Sequence, residues 1–116
     1  METEQKIEST NEIRQVARRL DLNVLSTSLD IVDVRILKQF YYPEPTAFVF
    51  KYLCQRFKKY GWKEDMIRYR LRRLNRMGLI IIVPRTNPLC IQPIKEHNRQ
   101  IKLLIMAMLG KFDLKE

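Results

Sequence analysis

Apolar residues at Ile67, Leu71 and Leu74 fall at i, i+4 and i+7, the spacing that gathers one side of a helix into a buried stripe. The surrounding stretch, WKEDMIRYRLRRLNRMGLI at 62–80, predicts a helix over about 63–77 that Gly78 stops and a strand follows. At about 100° per residue, Asp65, Tyr69, Arg72 and Arg76 lie opposite the stripe, with Arg68 and Arg73 on its flanks. Upstream, Ser9-Thr10-Asn11-Glu12 has the form of a capping box, which starts a helix at Thr10 with Ile13, Val16, Ala17 and Leu20 inward. It ends near Asp21 or runs on toward Leu25. A second helix, LDIVDVRILKQF at 29–40, takes Asp30 as its cap with Asp33 three residues on. Val32, Ile36, Leu37 and Phe40 form its core face, and Pro43 and Pro45 end it. A third helix is expected from Thr46 to about Tyr60, with Phe50, Leu53 and Phe57 inward and Gly61 as its stop. After Gly78 come a β-branched strand (LIIIVP), a turn (RTNP) with Arg85 at its tip, and a returning strand (LCIQPI). Residues 95–109 form a last helix, free of proline and glycine up to Gly110.

The order is helix, helix, helix, helix, hairpin, helix: mainly α with a small β-hairpin, an α+β class. It divides into an N-terminal tail and helix at 1–28, a central domain at 29–93 and a C-terminal helix at 94–116. At 116 residues the chain is expected to be one domain with a core of ordinary size.

Charge changes the picture. Residues 51–76 hold ten Lys/Arg against two Asp/Glu, a balance of +8. Residues 1–50 stand at −2 and residues 77–116 at +3, so the net charge of +9 is concentrated in one segment. A concentrated basic patch implies a polyanionic partner, nucleic acid first and an anionic membrane surface second.

Other classes recede. METEQKIEST at the N-terminus is polar and acidic, unlike a secretory or transit signal. The apolar run at 101–109 is far shorter than the roughly 20 residues a membrane span needs, so a cytoplasmic protein is expected. Cys54, Cys90 and the single His97 are scattered, so no metal site or cofactor is expected; buried free thiols are the default for the two cysteines, with a redox role or a disulfide between two subunits as the alternative. Nor does any nucleophile–base pair or glycine-rich phosphate loop suggest catalysis.

LDIVDVRILKQF followed by the helix pair and MIRYRLRRLNRMGLI resembles the winged helix-turn-helix domains of prokaryotic and archaeal regulators of the Lrp/AsnC, ArsR and MarR type. Ile67, Arg70, Leu71, Leu74, Gly78, Leu79 and Ile80 match, one by one, the pattern by which a recognition helix enters the wing. The resemblance covers about 29–93. It implies double-stranded DNA as partner, with the 63–77 helix in the major groove. Lys63, Asp65, Met66, Tyr69 and Arg72 would then face base edges, where arginine reads guanine in a bidentate manner. Arg68, Arg73 and Arg76, with Lys58 and Lys59, would meet phosphates. Several of these have plainer readings. Asp65 also favours the helix dipole, Tyr69 also covers a core edge, and Arg70 sits where a structural salt bridge fits. Arg85 either enters a minor groove or stands idle. No ligand-binding domain follows the wing, so no small-molecule effector is expected.

Eight of the nine residues at 101–109 are apolar, more than one buried stripe requires. A homodimer through Ile101, Leu104, Ile105, Met108 and Leu109 is expected, against the alternative of a helix sandwiched within its own domain. Two further functional readings stand beside a sequence-specific regulator. One is a protein-docking or RNA-binding module of a transcription assembly, and the other an architectural protein that binds duplex DNA without sequence preference.

Overall fold

The computed structural model of the chain describes Leu25 and residues 27–112. The helix expected from Thr10, with Ile13, Val16, Ala17 and Leu20, lies outside the described residues.

Helix α1 (Ile31–Tyr41) starts where its cap places it. The Asp33 amide donates to Asp30 Oδ1 at 3.0 Å and the Asp30 amide donates to Asp33 Oδ2 at 3.1 Å, a reciprocal box that satisfies two amides of the first turn. Ile36, Leu37 and Phe40 are fully buried, as their spacing predicts, and Val34 and Tyr41 join them. The third helix departs from expectation. It does not begin near Thr46: Phe48–Val49 form a short strand, β1, paired antiparallel with residues far downstream. Aromatic and β-branched side chains suit a strand, but the partner that selects it is some forty residues away. Helix α2 (Phe50–Arg56) is therefore short. A 3-10 turn at Lys58–Tyr60 follows, and Gly61 closes it in the left-handed conformation at φ 74°. Phe50, Leu53 and Phe57 are inward as expected.

Helix α3 (Glu64–Arg76) buries Ile67, Leu71 and Leu74. Its C-terminus is a Schellman motif: Leu79 N–H donates to Leu74 O at 3.0 Å and Gly78 N–H to Asn75 O at 3.1 Å. The motif needs positive φ at the residue after the cap, and Gly78 supplies it at 78°. Strands β2 (Ile80–Val83) and β3 (Cys90–Pro93) make the expected hairpin. The sheet is antiparallel in the order β1-β3-β2, with Ile91 opposite both Phe48 and Ile82. Tyr41 locks the sheet to α1: its hydroxyl donates to Leu79 O at 2.7 Å and accepts from Ile94 N–H at 2.8 Å. Burial pushes its pKa up to about 12, against a smaller opposing effect of the Ile94 bond.

After a 3-10 turn at Lys95–His97, helix α4 (Asn98–Phe112) lies along α1. It passes through Gly110 rather than ending at Leu109; glycine inside a helix costs only about 1 kcal/mol. The apolar residues of α4 divide differently from expectation. Ile101, Leu104, Ile105 and Met108 are buried in the protein's own core, and Leu109 is packed against it. These residues are thus occupied within the chain and do not offer a dimer surface. Among the described side chains of α4, the large outward apolar ones are Leu103 and Met106, 55% and 60% exposed.

Candidate nucleic-acid interface

The buried stripe of α3 fixes which side of the helix faces out. With Ile67, Leu71 and Leu74 in the core, Asp65, Tyr69, Arg72 and Arg76 are exposed, and Tyr69 is 59% exposed. Lys63, at the N-cap position, is exposed just before the helix starts, and Met66 is half-buried in its first turn. Lys63, Arg72 and Arg76 make no ion pair or hydrogen bond among the described residues. Glu64 and Asp65 lie in the first turn, where negative charge complements the helix dipole.

Three of the five arginines of α3 are otherwise engaged. Arg70 Nη1 donates to Asp30 Oδ2 at 2.6 Å and to Asp33 Oδ1 at 3.2 Å. Arg73 Nη1 donates to Asp33 Oδ2 at 2.6 Å, and its other terminal nitrogen donates to the Ser28 carbonyl. Arg73 was expected at a DNA phosphate; instead it is folded back onto α1, because the wholly buried Asp33 needs a counter-charge. Arg70 takes the structural role foreseen for it. The burial of Asp30 acts to raise its pKa, but hydrogen bonds from Arg70 and the Asp33 amide, with Arg70's charge, outweigh that and hold it below 3.8. On Arg70, burial acts to lower the pKa and the two carboxylates outweigh it, so it rises. Arg68 is half-buried, with its guanidinium 4.4 Å from the Phe50 ring centroid. That cation–π contact joins α3 to α2.

The segment between α2 and α3 is stiffened by aromatic contacts that the hydrophobic pattern alone did not single out. Trp62 stacks on Tyr60 at 4.7 Å and meets Phe57 at 4.9 Å, and Arg35 of α1 lies 4.6 Å over Tyr60. The spacing Phe57, Tyr60, Trp62 is the sequence signal for this cluster. Lys58 and Lys59 are exposed on the same turn, with Lys59 Nζ 5.1 Å from the Tyr60 ring. Asn75 also went unnoticed in the sequence. Its Oδ1 accepts from Ile82 N–H at 3.1 Å and so fixes the outer edge of β2 to the end of α3. Arg85 is exposed at the hairpin tip at φ 60°.

Among the described residues no group of three or more His, Cys, Asp or Glu side chains could hold a metal ion. No described helix is long and apolar enough to cross a membrane. Cys54 is buried, and burial, with Glu64 nearby, pushes its thiol pKa up against a smaller effect of Arg68. Comparison with protein-family models, curated proteins and solved structures found no match for this chain.

Proposed function

We propose that this chain is a winged helix-turn-helix protein that binds double-stranded DNA sequence-specifically, a transcriptional regulator that lays α3 in the major groove. The observation that carries the reading is the exposed row Tyr69, Arg72 and Arg76 on a helix whose opposite side is buried, with Lys63 exposed at its N-cap. A helix held this way can enter the major groove, about 12 Å wide, with its free side toward the bases. The element order supports the reading, since α2, a tight turn through Gly61 and α3 lead directly into the β2–β3 hairpin.

In this reading Arg72 reads guanine, a contact that discriminates by about 1–3 kcal/mol. Lys63, Met66 and Tyr69 border it at the base edges, and Asp65 remains for the helix dipole or a cytosine amino group. Arg76, Lys58 and Lys59 meet phosphates, joined by the half-buried Arg68. Arg85 is the wing contact. The protein acts as a binder and carries no reaction. Two copies would associate through the outer side of α4, where Leu103 and Met106 stand out, placing two α3 helices on successive half-sites about 34–36 Å apart. Leu103→Glu with Met106→Glu is expected to convert the dimer to monomer in light scattering.

The test is fluorescence anisotropy on a duplex selected from a randomised pool and on its shuffled control, across a salt series. Expected are a preference for the selected duplex and a log–log salt slope of about −0.9 per neutralised phosphate. Unchanged affinity and preference in Arg72→Glu would refute the recognition face. Equal affinity for both duplexes would favour an architectural protein. No binding at low salt would favour a protein-docking module, the reading that the exposed Leu103 and Met106 also serve.

A further inference from the structure

The described residues also form a concave surface that no α3 residue lines. It is an open groove of about 530 Å³ between the end of α1, strand β1 and the outward side of α2. That volume is in the range of small-molecule sites, roughly 300–1,000 Å³. Its walls are aromatic: Tyr42 from the end of α1, and Phe48 and Tyr52 stacked on each other at 5.9 Å and 18°. Tyr52 remains 51% exposed although one face of its ring is covered by Phe48.

Among the described residues one cation and no carboxylate lines the groove, and a second cation, Lys102, lies against its Tyr42 wall with Nζ 5.4 Å from the ring centroid. The lining cation is Arg56, one helical turn beyond Tyr52. Its guanidinium lies 5.3 Å from the Phe48 centroid and 5.8 Å from that of Tyr52. Gln39 Oε1 accepts from Arg56 Nε at 2.7 Å. This latch fixes the plane of the guanidinium and leaves both terminal nitrogens without a hydrogen-bond partner among the described residues. A pre-oriented guanidinium with its outer fork free suits a phosphate, which takes two parallel N–H donors. Flat aromatic walls suit a heteroaromatic ring, because every base presents a π-face for stacking.

We propose that this groove binds a nucleotide, its base stacked against Tyr52 and Tyr42 and its phosphate held by the Arg56 fork. The ligand is either a free mononucleotide or an unstacked nucleotide of a single strand; the two share the chemistry of one base and one phosphate. Gln39 acts on the ligand only through Arg56 and is a positioning residue.

The experiment is an NMR titration of the 15N-labelled full chain with adenosine 5′-monophosphate, adenosine and benzoate in parallel. A short single-stranded oligo-dA forms a further arm, run in the Arg72→Glu background so that binding at α3 does not contribute. Saturable shifts of Tyr42, Tyr52 and Arg56 signals with the monophosphate are expected, with affinity at least tenfold above that for adenosine. Arg56→Gln should remove that phosphate preference, and Tyr52→Ala should weaken the monophosphate about tenfold. Both positions are exposed, so the fold should persist, as unchanged shifts in the α1–α4 core would verify. Monophosphate binding without oligo-dA binding assigns a free nucleotide, and tighter oligo-dA binding assigns a strand. No saturable shift with either, equal affinity for adenosine and its monophosphate, tighter binding of benzoate, or indifference to Arg56→Gln would each overturn the proposal.

Discussion

Replacing Asp33 by alanine tests whether the basic helix is held by charge as well as by its apolar stripe. The Asp33 side chain is wholly buried and accepts three hydrogen bonds, from the Asp30 amide at 3.1 Å, Arg70 at 3.2 Å and Arg73 at 2.6 Å. Breaking a buried ion pair from one side typically costs about 3–5 kcal/mol, because the remaining charge is left uncompensated. Here the remaining charges are partly relieved. Arg70 and Arg73 keep 22% and 27% side-chain exposure, and Arg70 retains Asp30 at 2.6 Å. The lower end, about 3 kcal/mol, is therefore expected. In a domain of this size that corresponds to a fall in Tm of roughly 10 °C or more. Urea denaturation of wild type, Asp33→Ala, Arg73→Ala and the double variant closes a mutant cycle, with an expected coupling energy of about 1–3 kcal/mol. A loss below about 1 kcal/mol in Asp33→Ala, or a coupling of zero, would refute the claim that this carboxylate anchors α3.

Four further outcomes follow from the same geometry. Asp30 has a folded pKa below 3.8, so its contribution is complete above that value and is lost as pH falls through the lower folded value. An acid titration of stability should flatten in Asp30→Asn below about pH 4, and an unchanged profile would contradict the Arg70 pairing. Tyr41→Phe leaves the Leu79 carbonyl and the Ile94 amide without their shared partner, for a loss of about 1–3 kcal/mol in chemical denaturation. Because burial raises Tyr41 to about 12, its contribution is complete below about pH 10 and declines toward pH 12, a decline that Tyr41→Phe should lack. Arg72→Ala and Arg73→Ala should separate: the first weakens duplex binding with stability within about 0.5 kcal/mol of wild type, and the second destabilises the fold. Loss of stability in Arg72→Ala, or none in Arg73→Ala, would reverse the two assignments.

The parts legible in the sequence are those set by neighbours in the chain. The Asp30–Asp33 box, the Ile67–Leu71–Leu74 stripe and the Gly78 stop each depend on contacts within a few residues, and each lies where its spacing places it. Strand β1 is different. Phe48 and Val49 sit among residues that also suit a helix, and only pairing with Ile91 and Cys90 decides between the two. The outward sense of α4 was hidden for a similar reason. A nearly continuous apolar run has no polar side to orient it, so packing, chiefly against α1, selects Ile101, Leu104, Ile105 and Met108 and leaves Leu103 and Met106 outside.

Charge shows the same boundary most sharply. Counting along 51–76 treats its ten basic residues as equivalent, whereas a charge counts toward a partner only if the fold has not already neutralised it. Two acidic residues from a segment of negative balance, Asp30 and Asp33, reach across to Arg70 and Arg73. The basic face is consequently narrower than the sequence suggests and centred on Arg72 and Arg76, with Lys63 exposed at the N-cap and Lys58 and Lys59 exposed on the preceding turn. In the DNA complex proposed above, a narrower face has a measurable consequence, since each cation removed from the interface lowers the salt slope by about 0.9. The arginines held by Asp30 and Asp33 instead keep α3 in place, so that the remaining cations are presented from a rigid helix.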